Sequence, residues 1–103
     1  MQQKVQQFNQ KCDNFATPMP VSARLCDIQS EIGELAKEYL KATDYGTKEF
    51  TLTQDFELEF GDVLYSLLSL ANQTNIDANA CLDKILDKYQ KRIDKNKTLG
   101  SGN

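Results

Sequence analysis

Residues 53–75 read TQDFELEFGDVLYSLLSLANQTN, and this stretch decides the fold class. Thr53 is suited to cap the start of a helix, with acidic Asp55 and Glu57 near the positive end of the helix dipole. Apolar residues nearly encircle this helix: Phe56, Phe60, Val63, Leu64, Leu67 and Leu70 on one side, Leu58 and Tyr65 opposite. A helix that is apolar on almost every side is buried on more than one side, which in so short a chain indicates a subunit interface.

Helical periodicity continues on both sides of this stretch. Upstream, Ser22 is suited to cap a helix whose apolar residues recur every three or four positions, namely Leu25, Ile28, Ile32, Leu35 and Tyr39. Downstream of Asp77, residues 78–95 show the same spacing with Leu82, Ile85, Leu86, Tyr89 and Ile93. Residues 48–53 alternate only weakly, and we interpret them as a connecting loop because no second strand is available to pair with them.

These elements predict a single all-α domain over residues 1–103. A short N-terminal helix lies within residues 1–17, and Pro18 and Pro20 separate it from the core helices within residues 22–95. Residues 96–103 form a polar tail. We expect a helical bundle of three to four helices per chain that oligomerisation completes.

The composition excludes several kinds of chemistry. The 103 residues include 12 basic and 15 acidic side chains, a net charge of −3, and no histidine. Histidine-dependent nucleophiles and His-ligated zinc are therefore excluded, and the acidic balance argues against nucleic acid as a partner. The three cysteines have no disulfide-like spacing, the Gln-rich start lacks a signal-peptide core, and the longest uncharged run is too short to span a membrane. We therefore expect a cytoplasmic protein that does not contact membranes.

Two carboxylate pairs, Glu31 with Glu34 and Glu59 with Asp62, each have a spacing of three residues. Residues at this spacing share a helix face, so antiparallel packing of the two helices would bring four carboxylates together. At the edge of a packed interface such a cluster needs a compensating cation, and oxygen ligands favour Mg²⁺, Mn²⁺ or Ca²⁺. Spacing alone leaves open that these are ordinary solvated acids.

A basic stripe follows on the last helix. Lys84, Lys88, Lys91 and Lys95 share one face, and Arg92 lies between that face and the apolar residues. A divalent metal combined with Lys and Arg is the combination that phosphate chemistry requires. The alternative is a solvated lysine face interleaved with aspartates.

The segments EIGELA at residues 31–36 and EFGDVLY at residues 59–65 together resemble the MazG-like nucleoside triphosphate pyrophosphohydrolases. The resemblance covers about residues 22–93, with 24 residues between Glu34 and Glu59. It departs from the family at Ser30, where a glutamate is frequent, and at Leu86, where several members have asparagine.

The resemblance implies an all-α, Mg²⁺-dependent enzyme, with Mn²⁺ as a possible substitute, that cleaves a nucleotide between its α and β phosphates. It places Glu31, Glu34, Glu59 and Asp62 at the metal-ligand positions, and Glu34, before Glu31, as the catalytic residue that orients or deprotonates water. It matches Lys88 and Arg92 to phosphate-contacting positions, and we add Lys91 and Lys84 of the same stripe. It further implies a homodimer or homotetramer.

We therefore predict a (d)NTP pyrophosphohydrolase that releases (d)NMP and pyrophosphate, with a role in cleaning the nucleotide pool. One alternative is a relative that acts on phosphoribosyl-ATP or dUTP through the same carboxylates. The other alternative belongs to a different class: a non-catalytic helical oligomerisation or regulatory module, which would tolerate loss of these acids.

Overall fold

The computed structural model describes residues 1–96, which form four helices and no strand. The helices are α1 (Gln2–Cys12), α2 (Val21–Ala42), α3 (Gln54–Gln73) and α4 (Ala78–Asn96). The prediction of an all-α chain is confirmed. The predicted polar tail lies outside the described residues, apart from Asn96, which ends α4.

Local capping explains where α3 and α4 begin. The hydroxyl of Thr53 accepts a hydrogen bond from the backbone N–H of Phe56 at 3.1 Å, as a helix cap does. Asp77 Oδ1 accepts from the N–H of Ala80 at 3.1 Å in the same way. The expectation for Ser22 was wrong: Pro20, two residues earlier and without a capping side chain, occupies the N-cap position, and α2 starts at Val21.

A compact turn and an aromatic cluster fix the connection from α2 to α3. Thr43 is buried, donates to the carbonyl of Tyr39 at 3.1 Å, and accepts from the N–H of Gly46 at 3.1 Å. Gly46 has a φ of 88°, a left-handed conformation that glycine adopts without strain. The Phe50 ring then stacks on Tyr39 with a centroid distance of 5.1 Å and meets the Phe56 ring edge-on at 5.0 Å.

Helix α2 packs along α3, and α1 packs on another part of α3. The pairs Tyr39 with Phe56, through Phe50, and Asp27 with Ser66 run in opposite sequence directions, so α2 and α3 are antiparallel. The buried residues of α3 are mainly small or polar, comprising Ser66, Leu68, Ser69 and Ala71. Apolar side chains that recur at helical spacing are about half exposed, including Leu25 at 51%, Ile32 at 50%, Phe60 at 55% and Leu67 at 50%.

Polar side chains dock α1 onto the end of α3. Asn9 donates to Ser69 Oγ at 3.0 Å and accepts from the hydroxyl of Tyr65. Gln2 donates to Asn72 Oδ1 at 3.1 Å and accepts from the N–H of Ala78, which ties the start of α1 to the start of α4. Buried or half-buried amides of this kind hold their geometry through hydrogen bonds rather than through apolar packing.

Helix α4 does not pack along α2 or α3 over any extended stretch. The apolar residues Leu82 and Leu86 on this helix are 54% and 53% exposed. The radius of gyration is 17.3 Å, against about 13 Å for a compact chain of 100 residues. Within residues 1–96, no helix has the length and the apolar character needed to cross a bilayer.

Candidate metal and phosphate site

Three carboxylates converge where α2 faces the first half of α3. Glu31, Glu59 and Asp62 each offer one carboxylate oxygen, and these oxygens lie within 4.8 Å of one another. Glu31 and Glu59 are half-buried, whereas Asp62 is exposed. The site is thus an open cluster of oxygen donors on two antiparallel helices.

Helix geometry accounts for this convergence. Glu59 and Asp62 are three residues apart and share one face of α3. On α2, Arg24, Asp27 and Glu31 are spaced by three and four residues, and this polar stripe faces α3, while Leu25 and Ile32 remain half exposed. The orientation of α2 therefore half-buries Asp27 and Glu31, which a helix with an apolar core face would leave in solvent.

The cluster is electrostatically unfavourable without a cation. The pKa of Glu31 is raised, first because desolvation disfavours its charged form, then because of the charges of Asp62 and Asp27, with Glu59 and Glu34 contributing less. The pKa of Glu59 is also raised, by desolvation first and then by Asp62 and Glu34. Mutual repulsion of this kind is what a bound divalent cation relieves.

Asp27 extends the cluster toward the middle of α3. Its Oδ2 accepts a hydrogen bond from Ser66 Oγ at 2.8 Å and lies 3.5 Å from Nη1 of Arg24. The guanidinium of Arg24 in turn lies over the ring of Tyr65, 5.6 Å from its centroid. Sequence reasoning did not single out Asp27 or Arg24, although their spacing to Glu31 on one helix face was the available signal.

Glu34 lies outside the group of three. It is exposed, yet its charge helps to raise the pKa of both Glu31 and Glu59, which shows that it is near the cluster. Glu38, one turn further on, accepts a hydrogen bond from Lys41 at 3.2 Å and also contributes to the raised pKa of Glu59. The structure thus brings three of the four predicted ligands together and keeps the fourth at the edge.

The predicted phosphate-binding residues lie on α4, away from this cluster. Lys88, Lys91 and Arg92 line a shallow cleft of about 360 Å³, whereas Lys84 does not line it. Lys91 pairs with Asp87 at 2.9 Å, and the Arg92 guanidinium lies 5.8 Å from the centroid of the Tyr89 ring. Because α4 does not pack along α2 or α3, the basic and acidic parts of the predicted site do not form one pocket within residues 1–96.

The donor set fits a hard divalent cation. Its three ligand residues supply only carboxylate oxygens, which Mg²⁺ and Mn²⁺ prefer, and no sulfur or nitrogen ligand belongs to the group. The open side of the cluster, beside exposed Asp62, leaves room for water or substrate oxygens. The fold and the cluster therefore define an all-α protein with a candidate carboxylate metal site between two antiparallel helices.

Comparison with known proteins agrees with this class. Residues 22–96 match the MazG nucleotide pyrophosphohydrolase domain, and the chain belongs to this family. It is also similar to YpjD of Bacillus subtilis (strain 168), itself named an uncharacterized protein, with 35% identity over 83 residues. That match covers 78% of this chain and 70% of YpjD. No solved structure matches the chain significantly.

Family membership makes this chain a pyrophosphohydrolase-type hydrolase at the level of the family, whose members generally depend on divalent metal. The matched region contains the three converging carboxylates and the basic residues of α4.

Mg²⁺ or Mn²⁺ should raise the melting temperature of the protein, because a cation that binds only the folded state stabilises it by mass action. At a hundred times its dissociation constant the gain is about 2.7 kcal/mol, or several degrees in a domain of this size. Glu59→Gln should lose most of the shift, whereas Glu49→Gln, in an exposed loop, should keep it. Differential scanning calorimetry measures the effect. A melting temperature that does not change up to about 10 mM Mg²⁺ or Mn²⁺ would contradict the presence of a metal site.

In EDTA, Glu31→Gln should raise the melting temperature at pH 7 by a few degrees, since it removes one of the repelling charges. A raised pKa means that the folded state binds the Glu31 proton more tightly than the unfolded state, so stability present at low pH is lost as pH rises through the folded pKa. The advantage of the variant should therefore vanish below about pH 4. Melting curves from pH 3 to 8 test this, and an advantage independent of pH would contradict the electrostatic cause.

Proposed function

We propose that this protein is a Mg²⁺-dependent nucleoside triphosphate pyrophosphohydrolase. Water adds to the α-phosphorus, the bond from this phosphorus to the α–β bridging oxygen breaks, and a (d)NMP and pyrophosphate result. The observation that carries the proposal is the convergence of Glu31, Glu59 and Asp62 within 4.8 Å inside the matched family domain.

The cation would be held by Glu31, Glu59 and Asp62, with Glu34 at the edge of the site. Bound there, Mg²⁺ supplies a positive charge that neutralises phosphate oxygens and the negative charge developing on the leaving pyrophosphate. The carboxylates in turn fix the position of the triphosphate relative to α2 and α3.

Glu34 is the proposed general base. A carboxylate accepts the proton of the attacking water most easily when a metal does not engage it, and Glu34 lies outside the group of three converging oxygens. Its exposed position on α2 leaves room for water beside the cluster. Glu31 is the second choice because it belongs to the converging group.

Lys88 and Arg92, with Lys91 and Lys84 on the same helix, are the proposed phosphate-binding residues. Arg binds phosphate oxygens in a bidentate manner, and Lys adds a compact charge. Since α4 does not pack along the helices of the acidic cluster, we propose that a second copy of the chain brings its α4 to the site. The functional unit would then be a homodimer or a homotetramer.

The exposed apolar surface supports this assembly. The accessible surface is 7950 Å², whereas a compact monomer of this length exposes roughly 5,900 Å². The excess includes half-exposed apolar residues on three helices, namely Leu25, Ile32, Leu58, Phe60, Leu67, Leu82 and Leu86. Subunits that bury these residues against each other would restore an ordinary core.

We further propose that the enzyme removes unwanted nucleotides from the cellular pool. The three unpaired cysteines, Cys12, Cys26 and Cys81, are consistent with a reducing cytoplasm. Relatives that act on dUTP or phosphoribosyl-ATP would use the same carboxylates, so both compounds belong among the substrates to be tested.

At least one nucleotide should release pyrophosphate when the protein is incubated with Mg²⁺ or Mn²⁺. The panel comprises the common and oxidised or deaminated (d)NTPs, dUTP and phosphoribosyl-ATP, scored for pyrophosphate and for the nucleoside monophosphate. Glu34→Gln and Asp62→Asn should lower kcat by at least about a hundredfold, as loss of a general base or a metal ligand does. Glu49→Gln is the matched control and should keep full activity.

The proposal would be contradicted if the protein hydrolysed none of these compounds with either Mg²⁺ or Mn²⁺. In that case a melting temperature that is also indifferent to metal and to the loss of Glu31 would favour a non-catalytic helical module.

Two inactive variants should restore activity when they are mixed. Asp62→Asn damages the acidic cluster, and the double change Lys88→Ala/Arg92→Ala damages the phosphate-binding helix. If each site combines two chains, random exchange into dimers should recover about one quarter of wild-type activity, because half the dimers are mixed and each has one intact site. Co-purification through two different tags confirms exchange. Mixed dimers without activity would show that one chain supplies both parts.

A further inference from the structure

A second cleft, of about 280 Å³, lies between α1, the segment that connects it to α2, the first turn of α2 and the second half of α3. The four predicted metal ligands do not line it. Its lining includes Asn9, Cys12, Met19, Arg24, Tyr65 and Gln73. The proposed catalytic groups therefore leave this cleft without a role.

Arg24 is the unusual residue of the cleft. It is only 9% exposed, and its Nε is buried without a hydrogen-bond acceptor in the described part of the chain. Buried N–H groups nearly always have a partner, so this donor lacks the acceptor that its surroundings would normally provide. Nε is shielded from solvent in this structure, so an acceptor that enters the cleft reaches it only when the guanidinium shifts toward the cleft. Asp27 already balances the charge of Arg24 at 3.5 Å, which favours a neutral acceptor over an anion.

The other lining residues suit a planar ring with polar edges. Asn9 is already bonded to Ser69 and Tyr65, and Gln73 donates to the carbonyl of Met19 at 2.6 Å, but each amide keeps a further donor and acceptor position that can read the edge of a nucleobase. Tyr65 and Arg24 have flat groups. Met19 and Cys12 add polarisable sulfur atoms that adapt to a ring surface. This mixture is typical of a small-molecule pocket with few polar groups, and it lacks the cluster of free cations that a phosphate requires.

The cleft lies at a suitable distance from the carboxylates. Arg24 precedes Glu31 by seven residues on α2, about 10 Å along the helix axis, and Tyr65 follows Asp62 by three residues on α3, about 4.5 Å. Asp27 lies between the cleft and the carboxylate cluster, because it pairs with Arg24 and is one helical turn from Glu31. It also accepts a hydrogen bond from Ser66 on α3. A nucleoside spans a gap of this order when its α-phosphate is at the carboxylates.

We propose that this cleft is the nucleobase subsite of the enzyme and that Arg24 donates its Nε–H to a carbonyl oxygen of the base. The inference rests on the proposed function and assigns the substrate class: nucleotides whose bases carry an oxo group are preferred over adenine nucleotides. Arg24 is thus a specificity-determining residue.

The matched substrates are ITP and ATP, whose bases differ in a 6-oxo or a 6-amino group. The wild-type enzyme should favour ITP by about ten- to a hundredfold in kcat/KM, the effect of one hydrogen bond to a charged donor. Arg24→Lys keeps the charge but not the guanidinium geometry, so the preference should fall toward unity, mainly through KM for ITP. Equal use of the two substrates by the wild type, or an unchanged preference in Arg24→Lys, would overturn the inference while leaving the hydrolase activity in place.

A second variant covers the possibility that Arg24→Lys does not fold. Ala16 is exposed and lines the cleft, so Ala16→Trp should fill it and raise KM for ITP at least about tenfold with little change in kcat. Gln10→Trp, exposed on α1 outside the cleft lining, is the control and should leave KM unchanged. Equal KM values in Ala16→Trp and the wild type would overturn the assignment.

Binding of nucleosides to the metal-free protein separates this inference from the proposed activity. Inosine should bind more tightly than adenosine by NMR titration, with the largest shifts at residues lining the cleft, and Arg24→Lys should remove the difference. Such binding without hydrolysis of any nucleotide would support the cleft and contradict the pyrophosphohydrolase. Hydrolysis of a nucleotide without any chemical-shift change at the cleft would support the pyrophosphohydrolase and contradict the nucleobase subsite.

Discussion

The packing of the polar stripe of α2 against α3 is the constraint on which the rest of the structure depends. It places Glu31 beside Glu59 and Asp62, where desolvation and like charge raise the pKa values of both glutamates. A protein gains no stability from such an arrangement unless a cation relieves it. The same packing secures Asp27 to Ser66 and buries Arg24, so the carboxylate cluster and the neighbouring cleft are parts of one polar interface.

Using a polar stripe as the contact between α2 and α3 leaves much of the apolar stripes exposed within residues 1–96. Leu25 and Ile32 on α2, Phe60 and Leu67 on α3, and the leucines of α4 all remain half exposed. Assembly of several chains would stabilise the protein by burying this surface, since about 25 cal/mol is gained for each Å² of apolar surface removed from water. The proposed supply of Lys88 and Arg92 by a second chain would make assembly a condition of activity as well as of stability.

Much of the fold and part of the site could be predicted from the sequence. Thr53 caps its helix as expected, the helix periods are correct, and the two E-x-x-E/D pairs indicated where carboxylates would meet. The helical period indicated the apolar seam of α2 but not which neighbour covers it, so the polar contact of α2 with α3 was not predicted. The interface of Asp27, Ser66 and Arg24 was not predicted, since each of these residues is unremarkable until two helices bring them together.

The sequence by itself determined the helices, the caps of α3 and α4 and the family motif, because capping and periodicity act between residues a few positions apart in the chain. Only the tertiary structure decided that Glu31, Glu59 and Asp62 converge while Glu34 stays at the edge, and that Arg24 is buried beside Tyr65. These outcomes depend on how far each helix is rotated about its axis when it packs. That rotation is set by contacts between distant residues, which no local pattern records.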